Sequence, residues 1–91
     1  MKSPINTIQQ LMAITAEECG ELTQVCMKVI RRHDDFDIEP KWREKLVEEA
    51  GDVLCMIELM TRHGLLTGEE LRARVNVKMD KLKTWSTLIN D

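Results

Sequence analysis

Two short segments each place a pair of acidic side chains within an apolar helical stripe. EECGEL (17–22) contains Glu18 and Glu21, and EEAGDV (48–53) contains Glu49 and Asp52. Residues three apart share one face of an α-helix, so each pair projects together. The arc around the first pair is otherwise apolar, with Leu11, Ile14, Leu22, Val25 and Val29. The second pair lies among Leu46, Val53, Met56 and Ile57. The pattern predicts four carboxylates that converge on the interior.

Such a group of carboxylates is expected to bind cations. Buried ionised carboxylates are costly, and several together raise one another's pKa unless cations lie between them. Oxygen ligands without Cys or His at ligand spacing favour Mg²⁺ or Mn²⁺ over Zn²⁺. We therefore predict a metal site formed by Glu18, Glu21, Glu49 and Asp52, with Mg²⁺ as cofactor and Mn²⁺ able to substitute.

Two glycines accompany the acids, and a simpler interpretation stands beside the metal site. Gly20 and Gly51 each directly precede an acid, although each costs about 1 kcal/mol inside a helix. Their missing side chains would let a helix or a ligand approach closely. One acidic pair alone is more often a solvated face with salt bridges, whereas two copies on apolar stripes favour the metal site. Glu17 is either a surface residue or an outer ligand that positions water.

These acids require helices to position them, and the composition favours helix almost throughout. Three helices are predicted, over about residues 4–30, 40–63 and 68–88. Ser3 is the expected N-cap of the first, with Pro4 at its first position and a break near Thr15 left open. Gly64 is expected to end the second helix, and the capping-box sequence TGEE (67–70) to open the third.

Length and charge restrict the fold class and the partners. The 91 residues, with net charge −3, predict one all-α domain over 1–91. Its three main helices form a bundle whose four-helix core is completed by homo-oligomerisation, as a dimer or a tetramer. No broad basic field exists for nucleic acid or a membrane surface, and no apolar run is long enough to span a bilayer. Three unpaired cysteines fit the reducing cytoplasm.

The motif EExxE, followed on a second helix by EExxD, resembles the MazG-like family of all-α nucleoside triphosphate pyrophosphohydrolases. The likeness covers about residues 8–60. It implies Mg²⁺-dependent hydrolysis of a (deoxy)nucleoside triphosphate to its monophosphate and pyrophosphate. The family's metal ligands fall on Glu18, Glu21, Glu49 and Asp52, and Glu17 is the additional acid of the first motif. Glu17 or Glu21 would then accept the proton of the attacking water.

The same resemblance implies phosphate-binding residues on a later helix. Lys78, Lys81 and Arg74 are the candidates in RARVNVKMDKLK, whereas Asn76 points elsewhere on an ideal helical wheel. Three residues near the end of the first helix either hold phosphate as well or only complement the helix dipole: Lys28, Arg31 and Arg32. Residues that contact the base stay unassigned, because Trp42 and Trp85 are more often core than stacking residues and Phe36 lies in a loop.

Several functions remain open within and beyond this family. The enzyme would control or cleanse nucleotide pools, and a viral-type enzyme directed at dGTP is included. A relative specific for dUTP or dCTP is an alternative that sequence does not separate. A non-catalytic helical oligomerisation or binding module is the alternative from another class. In such a module the acids would bind only structural cations or basic partners.

Overall fold

The computed structural model describes residues 6–32 and 37–89 and confirms the all-α class. These residues form three helices, α1 (Thr7–Arg32), α2 (Pro40–Arg62) and α3 (Gly68–Trp85), and they contain no strand. The chain divides into two compact units, Met1–Met60 and Thr61–Asp91. The first unit contains α1 and nearly all of α2, and the second contains α3.

Helix α1 begins later than predicted. Asn6 caps it: its Oδ1 accepts a hydrogen bond from the Gln9 backbone N–H at 2.8 Å, and the Gln9 side chain accepts from the Asn6 N–H at 2.9 Å. This reciprocal pair satisfies two backbone donors and sets the start at Thr7. Ser3 and Pro4 lie outside the described residues. The helix passes Thr15 without a break, and the Thr15 hydroxyl donates to the Leu11 carbonyl at 2.6 Å.

In the first unit α1 and α2 run antiparallel around a small core. Trp42, near the start of α2, lies beside Lys28 and Arg32 at the end of α1. Farther along α2, Glu49 faces Glu21, which lies earlier in α1. The most buried apolar side chains are Leu11, Val25, Trp42 and Met56. These residues belong to the predicted apolar stripes, apart from Trp42, which could have been either core or ligand-stacking.

The later helix boundaries follow the predicted capping signals with one difference. Helix α2 ends at Arg62, and Gly64 follows with a φ of 76°, a left-handed conformation that favours glycine. In the second unit Thr67 and Glu70 form the predicted capping box at the start of α3. Helix α3 ends at Trp85 rather than Leu88, because Ser86 is extended and its hydroxyl donates to the Leu82 carbonyl.

Many large apolar side chains of the first unit remain exposed in this single chain. Ile8, Met12 and Ile30 are 52%, 44% and 67% exposed. They lie on one stripe of α1 together with the exposed cysteines Cys19 and Cys26. Among the described residues, no helix combines the length and the apolar character needed to cross a bilayer.

Candidate metal centre and adjoining cleft

Four carboxyl groups from α1 and α2 meet in the first unit. One oxygen from each of Glu18, Glu21, Glu49 and Asp52 lies within 4.8 Å of the others. We call these residues the carboxylate cluster. The i, i+3 spacing puts both acids of a helix on one face, and the antiparallel register brings the two faces together. The four side chains converge as predicted, but Glu21 and Asp52 are exposed rather than interior, so the cluster lies at the edge of the core.

The cluster is electrostatically strained without a cation. Burial raises the pKa of the Glu18 carboxyl from its ordinary value of 4.5, and the charges of Glu21 and Asp52 raise it further. Burial also raises the pKa of Glu49, with hydrogen bonding and charge from Glu21 as the next causes. Both effects disfavour the ionised form. The more buried acid of each helix therefore holds its proton unusually tightly.

Two oxygen atoms of the cluster lack a hydrogen-bond donor. The Oε2 atoms of Glu18 and Glu49 are buried, and neither has a hydrogen-bond partner. Buried acceptors are normally paired, so these atoms indicate a missing positive or donor group. The four oxygens lie within 4.8 Å of one another, and hard divalent cations such as Mg²⁺ prefer carboxylate oxygens as ligands. The residues present fit a hard divalent ion.

The glycines beside the cluster are not explained by packing within the chain. A Cβ atom built on Gly20 or Gly51 would meet no atom within 4 Å beyond its own helical turn. The expectation that these glycines let helices approach closely is therefore wrong for the single chain. Both face open space, which leaves them free to contact a ligand or another chain.

The remaining predicted site residues lie outside the cluster. Glu17 is exposed and is not one of the four converging acids. Lys78, Lys81 and Arg74 are exposed on α3, in the second unit. Their predicted contacts with phosphate stay predictions. Of the candidates for base stacking, Trp42 is buried at 8% exposure and Trp85 is 82% exposed. Phe36 lies outside the described residues.

A cleft of about 830 Å³ adjoins the carboxylate cluster. Glu21 and Glu49 line it, so the cluster opens into this space. The opposite end is basic and aromatic, with Lys28, Lys41 and Trp42. The volume lies within the range of about 300–1,000 Å³ that small-molecule sites occupy. The cleft thus joins an acidic end suited to metal to a basic end suited to anions.

Trp42 gathers the basic side chains at that end. The side-chain nitrogens of Lys28 and Lys41 lie 5.9 and 5.2 Å from the centre of its ring. The Arg32 guanidinium lies 5.2 Å from the same point. These are cation–π distances, so the buried indole holds three positive groups around itself.

Sequence reasoning missed Lys41 and left Trp42 ambiguous, although a periodic signal was present. Lys28 follows Glu21 by seven residues, and Trp42 precedes Glu49 by seven. A separation of seven is two helical turns, which returns a side chain to nearly the same face. Extending the acidic faces by two turns would have singled out Lys28 and Trp42, whereas Lys41, eight residues before Glu49, carries no such signal.

Comparison with known proteins assigns the family. Residues 6–84 match the family model of the MazG nucleotide pyrophosphohydrolase domain. Comparisons with curated proteins and with solved structures yield no match. The match spans all three helices, includes both acidic motifs and agrees with the resemblance that these motifs carry. The chain therefore belongs to the MazG nucleotide pyrophosphohydrolase domain family.

Proposed function

We propose that this chain hydrolyses nucleoside or deoxynucleoside triphosphates between the α and β phosphates, with Mg²⁺ required and Mn²⁺ able to substitute. The observation that supports this most is the carboxylate cluster, with its two unpartnered buried oxygens, opening into a cleft of ligand size. Family membership makes nucleotide pyrophosphohydrolysis the expected reaction class. Metal ions held by such carboxylates would activate water and neutralise phosphate charge.

In the proposed reaction Glu21 is the best-placed proton acceptor. It belongs to the cluster and lines the cleft, whereas Glu17 is exposed outside the cluster. The water oxygen bonds to the α-phosphorus, and its proton passes to the Glu21 carboxylate. The bond from the α-phosphorus to the bridging oxygen breaks, and its electron pair leaves with pyrophosphate. Glu18, Glu49 and Asp52 would hold the metal, which would supply positive charge to the reacting phosphates.

Homo-oligomerisation and a cytoplasmic location are part of the proposal. The exposed α1 stripe of Ile8, Met12, Cys19, Cys26 and Ile30 supports a second copy that covers it. Exposed free thiols suit a reducing compartment, where nucleotide pools also occur. A dimer and a tetramer both satisfy this argument. Sedimentation equilibrium distinguishes them, and a monomer at micromolar concentration would contradict the proposed association.

Substrate choice within the family is left open by these features. The cluster and the cleft are compatible with an enzyme of nucleotide-pool control or house-cleaning, including a viral-type enzyme for dGTP. They are equally compatible with an enzyme specific for dUTP or dCTP. A non-catalytic helical module remains the alternative of another class. A panel of canonical and modified triphosphates with Mg²⁺ or Mn²⁺ tests these possibilities together.

The decisive experiment identifies both the bond that is cleaved and the residues required. Each triphosphate is incubated in ¹⁸O-labelled water, and the products are resolved by mass spectrometry. We expect monophosphate carrying the label, together with unlabelled pyrophosphate. Orthophosphate and a diphosphate would refute the assigned bond. Absence of any product, with retained Mg²⁺ binding, would favour the non-catalytic module.

A matched pair of variants tests the role of the cluster. Glu49→Gln removes a cluster acid from α2, whereas Glu44→Gln makes the same change at a residue that lines the cleft outside the cluster. We expect Glu49→Gln to lower turnover by at least about tenfold, because groups around a metal commonly contribute that much. Glu44→Gln should retain turnover. Equal losses in both variants would show that the cluster has no special role.

A further inference from the structure

Three like charges gather at the basic end of the cleft. Lys28, Lys41 and Arg32 all lie over the Trp42 ring. Because an indole has two faces, at least two of these cations share one face and repel each other. An anionic ligand would relieve this repulsion.

Lys45 in the same cleft shows the contrasting situation. It lines the cleft as Lys28 and Lys41 do, yet its ammonium lies 3.3 Å from the Glu48 carboxylate. Its charge is therefore already paired, although both partners are exposed. The cleft-lining ammonium groups that lie over Trp42 are those of Lys28 and Lys41.

The distance between the two ends of the cleft suits an extended polyanion. Lys28 lies seven residues beyond Glu21 on α1, which corresponds to about 10 Å along the helix axis. Lysine side chains are long enough to reach back from this end toward the cluster. A triphosphate whose α-phosphorus lies at the acidic end can therefore extend its remaining phosphates toward the ammonium groups.

We propose that Lys28 and Lys41 bind the terminal phosphates of the substrate, which become the pyrophosphate product. This proposal rests on the proposed function and assigns the phosphate contacts to the α1–α2 cleft. Trp42 holds the two lysines by cation–π contact, and Arg32 adds a third positive charge at the same ring. The ring faces occupied by cations leave less room for stacking of a base, so the nucleoside is expected at another part of the site.

Binding of inorganic pyrophosphate tests the proposal without turnover. The dissociation constants of pyrophosphate and of a nucleoside monophosphate are measured by calorimetric titration with saturating Mg²⁺. The proteins are the wild type, Lys28→Gln, Lys41→Gln and the control Lys45→Gln. We expect either of the first two substitutions to weaken pyrophosphate at least about tenfold, as loss of a charge-assisted hydrogen bond does. Lys45→Gln should change it less than about twofold, because its exposed charge is already paired. Monophosphate affinity should be unchanged in all three.

Other outcomes overturn the proposal in distinguishable ways. A lowered melting temperature with unchanged pyrophosphate affinity would show that the lysines only stabilise Trp42. Weakened monophosphate with unchanged pyrophosphate would place the nucleoside at this end. Hydrolysis of triphosphates by the wild type is scored separately. Failure of the proposed function therefore appears as absent turnover, and failure of this inference as lysine variants that bind pyrophosphate normally.

Discussion

Replacing Gly20 and Gly51 by alanine is expected to stabilise the isolated chain. Both glycines lie well inside their helices, are exposed, and would present a Cβ to open space. No steric cost therefore offsets the helix propensity of alanine, which exceeds that of glycine by about 1 kcal/mol. For a domain of this size, each such gain raises the melting temperature by about 4–8 °C. The double variant should gain about twice as much if the sites are independent.

The assay is thermal unfolding followed by circular dichroism, in EDTA and at low protein concentration. Ser substitution at each position is a control, because serine has a helix propensity between those of glycine and alanine. A lower melting temperature in either alanine variant would refute the reasoning, because such a loss would require an atom close enough to the glycine to clash with the added methyl group. Turnover and self-association of the same variants show whether a ligand or a second chain uses the open space.

Three further predictions concern the site acids, the core and the first cap. In EDTA, the free energy of unfolding should fall as pH rises above 4.5, because the pKa values of Glu18 and Glu49 are raised in the folded state. Their contribution to stability is complete below 4.5 and is lost as pH rises through the raised values. An unchanged slope in the Gln double variant would contradict this. Trp42→Ala should lower the free energy of unfolding, measured by urea denaturation, by about 3–5 kcal/mol. Trp85 is 82% exposed, so Trp85→Ala should lower it by at most about 0.5 kcal/mol. Similar costs would contradict the observed burial. Asn6→Ala should cost about 1 kcal/mol in the same assay, and Asn6→Asp should retain the cap; an equal loss in both would show that the Gln9 interaction is unimportant.

Much of the local structure could be predicted from the sequence because its signals act over one or two helical turns. The all-α class, the start of α2 at Pro40 and the Thr67 capping box are confirmed. The predicted start of α1 was too early, because the Asn6 side chain was not recognised as a cap. Only the hydrogen bonds between Asn6 and Gln9 show which residue caps the described helix.

The paired acids show what helical periodicity determines by itself. Spacing fixes the angle of Glu18 and Glu21 around their own helix axis, and of Glu49 and Asp52 around theirs. Their placement among apolar residues, together with the cost of burying charge, was enough to predict convergence and a cation. The identity of the metal and the role of each acid stay predictions.

Only the tertiary structure decided which residues of different helices meet. Helical periodicity does not specify the register between α1 and α2, and that register brings Lys28 to Trp42 and Glu21 to Glu49. It also buries Trp42, which is 8% exposed. The cleft with its acidic and basic ends arises from two helices packed together, so no pattern along one helix could have shown its depth or its lining.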